Sequence, residues 1–168
     1  MELTKKDRLL LFNQLEILKH LNPDEADRYK VDQKILANGY KYNYDELVEG
    51  FDDDLDISVS EYVFDVLQMY RSLNNSYLSL SSEEKAQIDI DDIKYQGFDG
   101  NEEGAYYRYA NFLLEDYDRY GEIYEDEKVE LNSHRNMIRR YDRMLETWRS
   151  FNNKYEKLTL DQIKEIIE

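Results

Sequence analysis

Three of the six glycines in this chain fall within eight residues, in the pattern Gly97-x-x-Gly100-x-x-x-Gly104. Glycine-rich turns can hold phosphate, because their backbone N–H groups converge on its oxygens. A dinucleotide-binding turn needs G-x-G-x-x-G and a Walker A loop needs G-x-x-x-x-G-K-[ST], and neither spacing occurs here. The neighbouring acids Asp99 and Glu102 would also repel a phosphate group. The glycines therefore predict a structural role.

We interpret this stretch as a structural turn and helix cap. The turn consists of Gly97, Phe98, Asp99, Gly100 and Asn101. Phe98 is expected to be a buried anchor, and Asp99 or Asn101 to be the N-cap, since both residue types accept hydrogen bonds from the first backbone N–H groups of a helix. Glu102 and Glu103 would then complement the helix dipole.

Four aspartates lie in the range 52–56 and raise the possibility of a calcium loop. A twelve-residue loop from Asp54 to Asp65 has Val59 at its sixth position, where the sharp turn requires Gly, and Asp at its twelfth, where a bidentate Glu belongs. The run is therefore interpreted as a solvated acidic loop. A metal-dependent hydrolase with carboxylates near this loop remains one alternative function.

Other catalytic chemistries have few candidate residues. The chain has no Cys and only two His, so it offers no thiol nucleophile and no thiolate zinc site. Ser133 and His134 are adjacent, and neighbouring side chains on a helix do not face each other. We predict no catalytic residues, no metal and no cofactor, and an enzyme is the less favoured reading.

Arginines supply the most distinctive charged pattern. Arg135, Arg139 and Arg143 are spaced i, i+4, i+8, with Arg140 beside them, which places them on one face if the segment is helical. One reading is a set of ion pairs with carboxylates of the same chain or of another subunit. The other reading is contact with RNA or DNA phosphates. The sequence leaves both open.

The charge distribution bears on that choice. The formal net charge is −16, residues 45–103 hold 17 acids against three bases, and residues 131–157 hold seven bases against three acids. An acidic field opposes approach to nucleic acid and to anionic membranes. Nucleic acid is therefore possible but disfavoured, and no membrane partner is expected. The N-terminal residues resemble neither a signal peptide nor a spanning helix, so the expected location is the cytoplasm.

Cap signals and apolar spacing predict helices along most of the chain. Thr4 with Asp7 should cap a first helix with a wide buried stripe, and Gly39 should end a second helix that starts near Pro23. Residues 39–44 alternate as in a short extended segment. Further N-caps are predicted at Ser58, Ser81 and Thr159.

Tyrosines form a stripe after Gly104. Tyr106, Tyr109, Tyr117 and Tyr120 step at intervals that place them on one face of a long helix running to about residue 124. The stripe is expected to be core or a subunit interface, since Tyr can bury its ring and keep its hydroxyl hydrated. Met, Tyr and Trp repeat at the same spacing in residues 137–151.

These patterns predict an all-α fold. We expect a single multihelical domain over residues 1–168 with about seven or eight helices, and at most a short β-hairpin or extended segments. No composition shift marks a domain boundary.

Several segments resemble the YfbU-like family of bacterial proteins, also called UPF0304. They are "RLLLFNQLEIL", "LNPDEADRY" and "ANGY" near the N-terminus, "VFDVLQMYRSLNNSY", "GFDGNEEGAYYRYANFL", and "YDRMLETWRSF" before "LTLDQIKEII". The resemblance covers nearly the whole chain. It implies a mostly helical bacterial cytoplasmic domain without an assigned activity, and it supplies no catalytic residues.

Composition, motifs and resemblance together predict a non-enzymatic protein–protein interaction module that self-associates through a Tyr-, Met- and Trp-rich helical face, with a homodimer favoured. A nucleic-acid-associated regulator that uses the arginines is an alternative, as is the metal-dependent hydrolase.

Overall fold

The computed structural model describes residues 1–117, 119–124, 131–152 and 154–168. Within these ranges the chain is helical with no strand, which confirms the all-α prediction. The helices are α1 Lys5–Leu21, α2 Ala26–Asn38, α3 Ile57–Leu78, α4 Ser82–Lys85, α5 Ile90–Ile93, α6 Gly104–Asn111, α7 Gly121–Tyr124, α8 Ile138–Ser150 and α9 Leu160–Ile167. Short 3-10 turns cover Pro23–Glu25, Lys41–Asn43 and Asp45–Val48.

Three helices begin at the predicted N-caps, where the capping side chain and the backbone N–H that it binds are three residues apart. Thr4, Ser81 and Thr159 each accept a hydrogen bond from the backbone N–H three residues on, and the side chain there bonds back to the cap's N–H. These three predictions are confirmed. The start predicted at Ser58 is wrong by two residues, since α3 begins after Asp56, whose carboxylate accepts the Ser58 backbone N–H.

The described residues form two compact units, 1–54 and 55–168. In the first unit, α1 and α2 form a helical hairpin. The Gln33 amide donates to the Phe12 carbonyl oxygen and to Glu16, at 3.2 and 2.9 Å, and Arg8 donates to the Leu36 carbonyl oxygen at 2.8 Å. Gly39 ends α2 with a φ of 68°, as predicted. The extended segment expected over residues 39–44 is instead a 3-10 turn, Lys41–Asn43.

The second unit is built around α3, which packs against α6, α8 and α9. Its core holds Val66, Leu67 and Tyr70 of α3, and the apolar face of α8. On α8, Tyr141, Met144, Leu145 and Trp148 are buried. The Met- and Trp-rich face predicted from sequence is thus core of this unit.

One predicted element is wrong. The single long helix expected after Gly104 ends at Asp116, since α6 continues only as a π-helical segment, Phe112–Asp116, and α7 begins afresh at Gly121. A π-helical turn shifts the register of side chains, so the spacing of three and four used to assign one face no longer holds beyond it.

Candidate interaction surfaces

The arginines do not form the face that their spacing suggested. Helix α8 begins at Ile138, so Arg135 lies before the helix, where its guanidinium donates to the Gln96 side-chain oxygen. Arg140 lies 3.7 Å from an Asp92 carboxylate oxygen. Asp92 lies in the acid-rich segment, residues 45–103. The contact is therefore an ion pair within the chain, one of the two roles predicted for these arginines.

Three of the four arginines, Arg135 among them, lie on the surface. Arg139 and Arg143 are exposed, and no ion pair involves either of them among the residues that the structure describes. Arg143 borders a shallow cleft of about 220 Å³ between α8 and α9. The same cleft contains Asp92, Glu165 and Glu168, so its charges are mixed and it is not a site selective for phosphate.

The predicted turn joins two distant parts of the chain. The Phe98 N–H donates to the Leu131 carbonyl oxygen at 3.2 Å, and the Ser133 N–H donates to the Phe98 carbonyl oxygen at 3.1 Å. Phe98 itself is fully buried. Gly97 has a φ of 78°, and a Cβ there would lie 1.8 Å from the Leu131 oxygen. Only glycine fits this close approach.

Side-chain oxygens complete the turn. An Asp99 carboxylate oxygen accepts the N–H groups of Asn101 and Glu102, at 2.7 and 3.3 Å, which closes the turn. The N-cap predicted at Asp99 or Asn101 is wrong, since α6 begins after Glu103 and has no side-chain capping bond there. The Asn132 side-chain oxygen accepts the N–H groups of Gly100 and His134, at 3.1 and 3.0 Å. His134 has a φ of 51°, an unusual value for a residue with a Cβ, and this bond to Asn132 holds its backbone.

Glu103 has a role that sequence reasoning missed. It was expected to complement the dipole of its own helix, but its carboxylate reaches the start of α8. One oxygen accepts the N–H groups of Met137 and Ile138 at 2.7 and 2.8 Å, and the other accepts the Asp99 N–H at 2.9 Å. Glu103 is only 2% exposed. It therefore caps a helix that begins 35 residues later in the chain.

Most tyrosines of the stripe pack against other residues of the same chain. Tyr106 packs edge-on to Tyr62 with ring centroids 5.4 Å apart, and Tyr109 packs against Phe64 at 6.0 Å. The Arg71 guanidinium lies 4.2 Å from the centre of the Tyr120 ring, which is buried. Tyr117, the remaining member of the stripe, is exposed. The stripe is thus divided between core packing and one surface residue.

A tyrosine cluster lies beneath the turn. The rings of Tyr95 and Tyr141 pack against Phe98 and against each other, and Tyr70 packs against both tyrosines, with centroids 5.3 to 6.3 Å apart. Burial raises the pKa of Tyr70 to about 12 and raises the pKa values of Tyr95 and Tyr141 well above the usual range. The Tyr141 hydroxyl donates to the Gly97 carbonyl oxygen at 2.7 Å, whereas the Tyr95 hydroxyl has no hydrogen-bond partner among the described residues.

The first unit carries an apolar groove between α1, α2 and residues 47–51. Its volume is about 700 Å³, within the range of ligand and docking sites. Its apolar lining consists of Met1, Leu3, Leu10, Leu11, Leu15, Leu18, Leu36, Leu47, Val48 and Phe51. Asp7, Gln14 and Asp32 are the polar residues of the lining. Burial raises the pKa of Asp32, with Glu46 adding to the effect and Arg28 opposing it.

Helix α1 has a second apolar face that continues from this groove. The wide buried stripe predicted for α1 is wrong, since no residue of α1 is buried. Leu10, Ile17 and Leu21 are 53%, 59% and 74% exposed, and their spacing of i, i+7, i+11 places them on one face. We call the exposed residues Leu10, Gln14, Ile17, Leu18 and Leu21 the outer face of α1. The sequence already indicated this second apolar face, because apolar residues lie on more than one side of α1.

The acidic loop shows no arrangement suited to a metal. Asp52, Asp53 and Asp54 are exposed, and Asp56 uses its carboxylate to cap α3. Across the described ranges, no group of three or more His, Cys, Asp or Glu side chains is placed to hold a metal ion. In the same ranges, no helix has both the length and the apolar character needed to cross a bilayer.

Comparison with known proteins agrees with the resemblance seen in the sequence. The model of the YfbU domain matches residues 1–168. A UPF0304 protein of Methanocaldococcus jannaschii is 33% identical over 167 residues, which is 98% of this chain and 98% of that protein. Neither description states a ligand, a reaction or a partner, so no site residue is transferred. The chain belongs to the YfbU family.

Proposed function

We propose that this protein is a non-enzymatic interaction module that associates with a second copy of itself through the outer face of α1. The observation that carries the proposal is the exposure of this face: Leu10, Ile17 and Leu21 are each more than half exposed. Contiguous apolar surface of this kind on a soluble protein is typical of an interaction site. A helical hairpin can cover it by packing against a second hairpin as a four-helix bundle.

The exposed area fits a dimer interface. A fully exposed aliphatic side chain offers about 100 Å² and an aromatic one about 200 Å² of apolar area. On that basis, the exposed parts of four outer-face residues and Phe51, which is 82% exposed, offer roughly 400 Å². A standard interface buries about 800 Å² per partner, of which a little over half is apolar. The outer face and groove thus supply about the apolar area that a dimer needs.

The alternatives have less support. Of the four arginines proposed for nucleic acid, Arg140 pairs with Asp92, and Arg135 lies before α8 and contacts Gln96, so the four do not form one helical face for phosphate. For a hydrolase, the acidic loop offers exposed carboxylates, and the groove of the first unit is lined mainly by apolar side chains. Binding to mixed RNA and DNA at low ionic strength tests the first alternative.

Sedimentation over a range of protein concentrations tests the proposal. The wild type should show a concentration-dependent shift from monomer to dimer, and Leu10→Glu should remain monomeric because it places a charge in the interface. Leu78→Glu is the matched control, since Leu78 is 62% exposed but lies in the second unit. It should associate like the wild type. A wild type that is monomeric at the highest attainable concentration would refute the proposal, as would a Leu10→Glu variant that still dimerises.

A further inference from the structure

We propose that the two copies pack α1 against α1 in antiparallel orientation, with Gln14 on the two-fold axis as the residue that sets the register. This inference rests on the proposed self-association and adds the arrangement of the partner. It follows from two independent features of the first unit: the charges at the ends of α1, and the position of one amide within an apolar face.

Exposed lysines begin α1 and exposed acids follow its end. The other charges of its end turns have partners within the first unit: Asp7 bonds to the Thr4 N–H, and Lys19 and His20 lie beside Glu16. Lys5 and Lys6 form the first turn of α1 and are exposed. Asp24 and Glu25 follow the end of α1 in the Pro23–Glu25 turn and are also exposed. Antiparallel packing places the lysines of one copy beside the acids of the other, at both ends of the interface. Parallel packing would instead place lysines beside lysines and acids beside acids, which costs free energy.

The helix dipoles favour the same orientation. The N-terminus of a helix carries partial positive charge and the C-terminus partial negative charge, so neighbouring helices attract when antiparallel. A two-fold axis, the commonest symmetry of homodimers, is compatible with this packing. The dipoles act in the same direction as the side-chain charges.

Gln14 is the polar residue at the centre of the outer face. It lines the apolar groove together with Leu10 and Leu18, which lie four residues before and after it. With Gln14 on the axis, Leu10 of one copy packs on Leu18 of the other. The two Gln14 amides then face each other, and each can donate an N–H to the other's oxygen. A polar residue buried alone in an apolar seam fixes register, because any shift leaves it without a partner.

Disulfide trapping can test the orientation, because the chain has no native Cys. Under oxidising conditions, Gln14→Cys should give a covalent dimer, since residues on the axis meet their own copies. Leu10→Cys should not, because antiparallel packing separates the two positions by about 12 Å along the axis, at about 1.5 Å per residue, beyond the reach of a disulfide. An equimolar mixture of Leu10→Cys and Leu18→Cys chains should link.

The outcomes separate this inference from the proposed function. If Leu10→Cys links to itself as readily as Gln14→Cys does, the orientation is parallel and the inference is wrong. If Gln14→Cys does not link although the wild type dimerises and Leu10→Glu does not, the register is wrong while the self-association through α1 holds. A monomeric wild type refutes both.

Charge reversal gives a second, non-covalent test. The pair Lys5→Glu/Lys6→Glu should weaken association about tenfold at low salt, and so should Asp24→Lys/Glu25→Lys, because each places like charges together. An equimolar mixture of the two variants should associate as tightly as the wild type. Acids in the first turn of α1 favour the helix dipole, so loss of folding does not explain a weaker dimer of the Lys5/Lys6 variant. Asp24→Lys/Glu25→Lys removes the Glu25–Arg28 ion pair, and restored association in the mixture shows that this variant is folded. Unchanged association of either variant alone overturns the charge argument.

Discussion

Replacement of Glu103 by Ala should lower the stability of the second unit more than any neighbouring surface change. The variant leaves the N–H groups of Met137, Ile138 and Asp99 without their acceptor. A buried donor left unpaired costs about 1–3 kcal/mol. Some of this cost is offset because the buried carboxylate itself no longer has to be desolvated. We therefore expect a loss of about 3 kcal/mol in the free energy of unfolding, a large share of the stability of an ordinary domain.

The single Trp reports this transition directly. Trp148 lies on α8, the helix that Glu103 caps, and is 1% exposed. Urea unfolding followed by its fluorescence should show a lower midpoint for Glu103→Ala. Glu102→Ala is the matched control, because Glu102 is exposed on the same turn, and it should stay within about 0.5 kcal/mol of the wild type. If the two variants unfold alike, Glu103 does not hold α8 and the reasoning is refuted.

Three further variants test the turn, the tyrosine cluster and the groove. Gly97→Ala should lower the free energy of unfolding, measured in urea, by about 3 kcal/mol or more, because the added Cβ would lie 1.8 Å from the Leu131 oxygen. Gly50→Ala is the control and should leave the free energy of unfolding nearly unchanged, because a Cβ there has no atom within 4 Å. Tyr141→Phe should lower the free energy of unfolding by about 1–3 kcal/mol, because the Gly97 carbonyl oxygen loses its donor. Tyr95→Phe should leave that free energy unchanged or raise it, because the Tyr95 hydroxyl has no partner among the described residues. An equal loss for both variants in thermal unfolding would contradict this. Burial raises the pKa of Asp32, and a second copy over the groove would raise it further. Association should then take up a proton and tighten as the pH falls, and Asp32→Asn should flatten that dependence in sedimentation at several pH values.

Local features of this fold were predictable from the sequence. The capping boxes at Thr4, Ser81 and Thr159 and the glycine end of α2 at Gly39 all appear as predicted. Each depends on residues three to five positions apart, whose interaction is decided by the geometry of one helical turn. The glycine pattern at 97–104 was likewise recognisable as unsuited to phosphate, because spacing and charge alone exclude it.

Predictions from residue spacing were wrong where a helix began or ended at another residue than expected. Tyr106 and Tyr120 were assigned to one helical face, but the π-helical segment and the new start at Gly121 separate them. Arg135 was assigned to a helix that begins three residues later, at Ile138. A spacing rule holds only inside one regular helix, and the place where a helix stops depends on packing against the rest of the chain.

The helical class, the family and three of the capping boxes could be predicted from the sequence, because they follow from backbone geometry within one turn and from the order of segments along the chain. Three features could not be predicted in this way: Glu103 caps α8, Arg140 pairs with Asp92, and the outer face of α1 is left uncovered. These depend on which segments distant in sequence pack together. A periodic apolar stripe shows that a helix has a face to cover, but not whether the chain itself covers it.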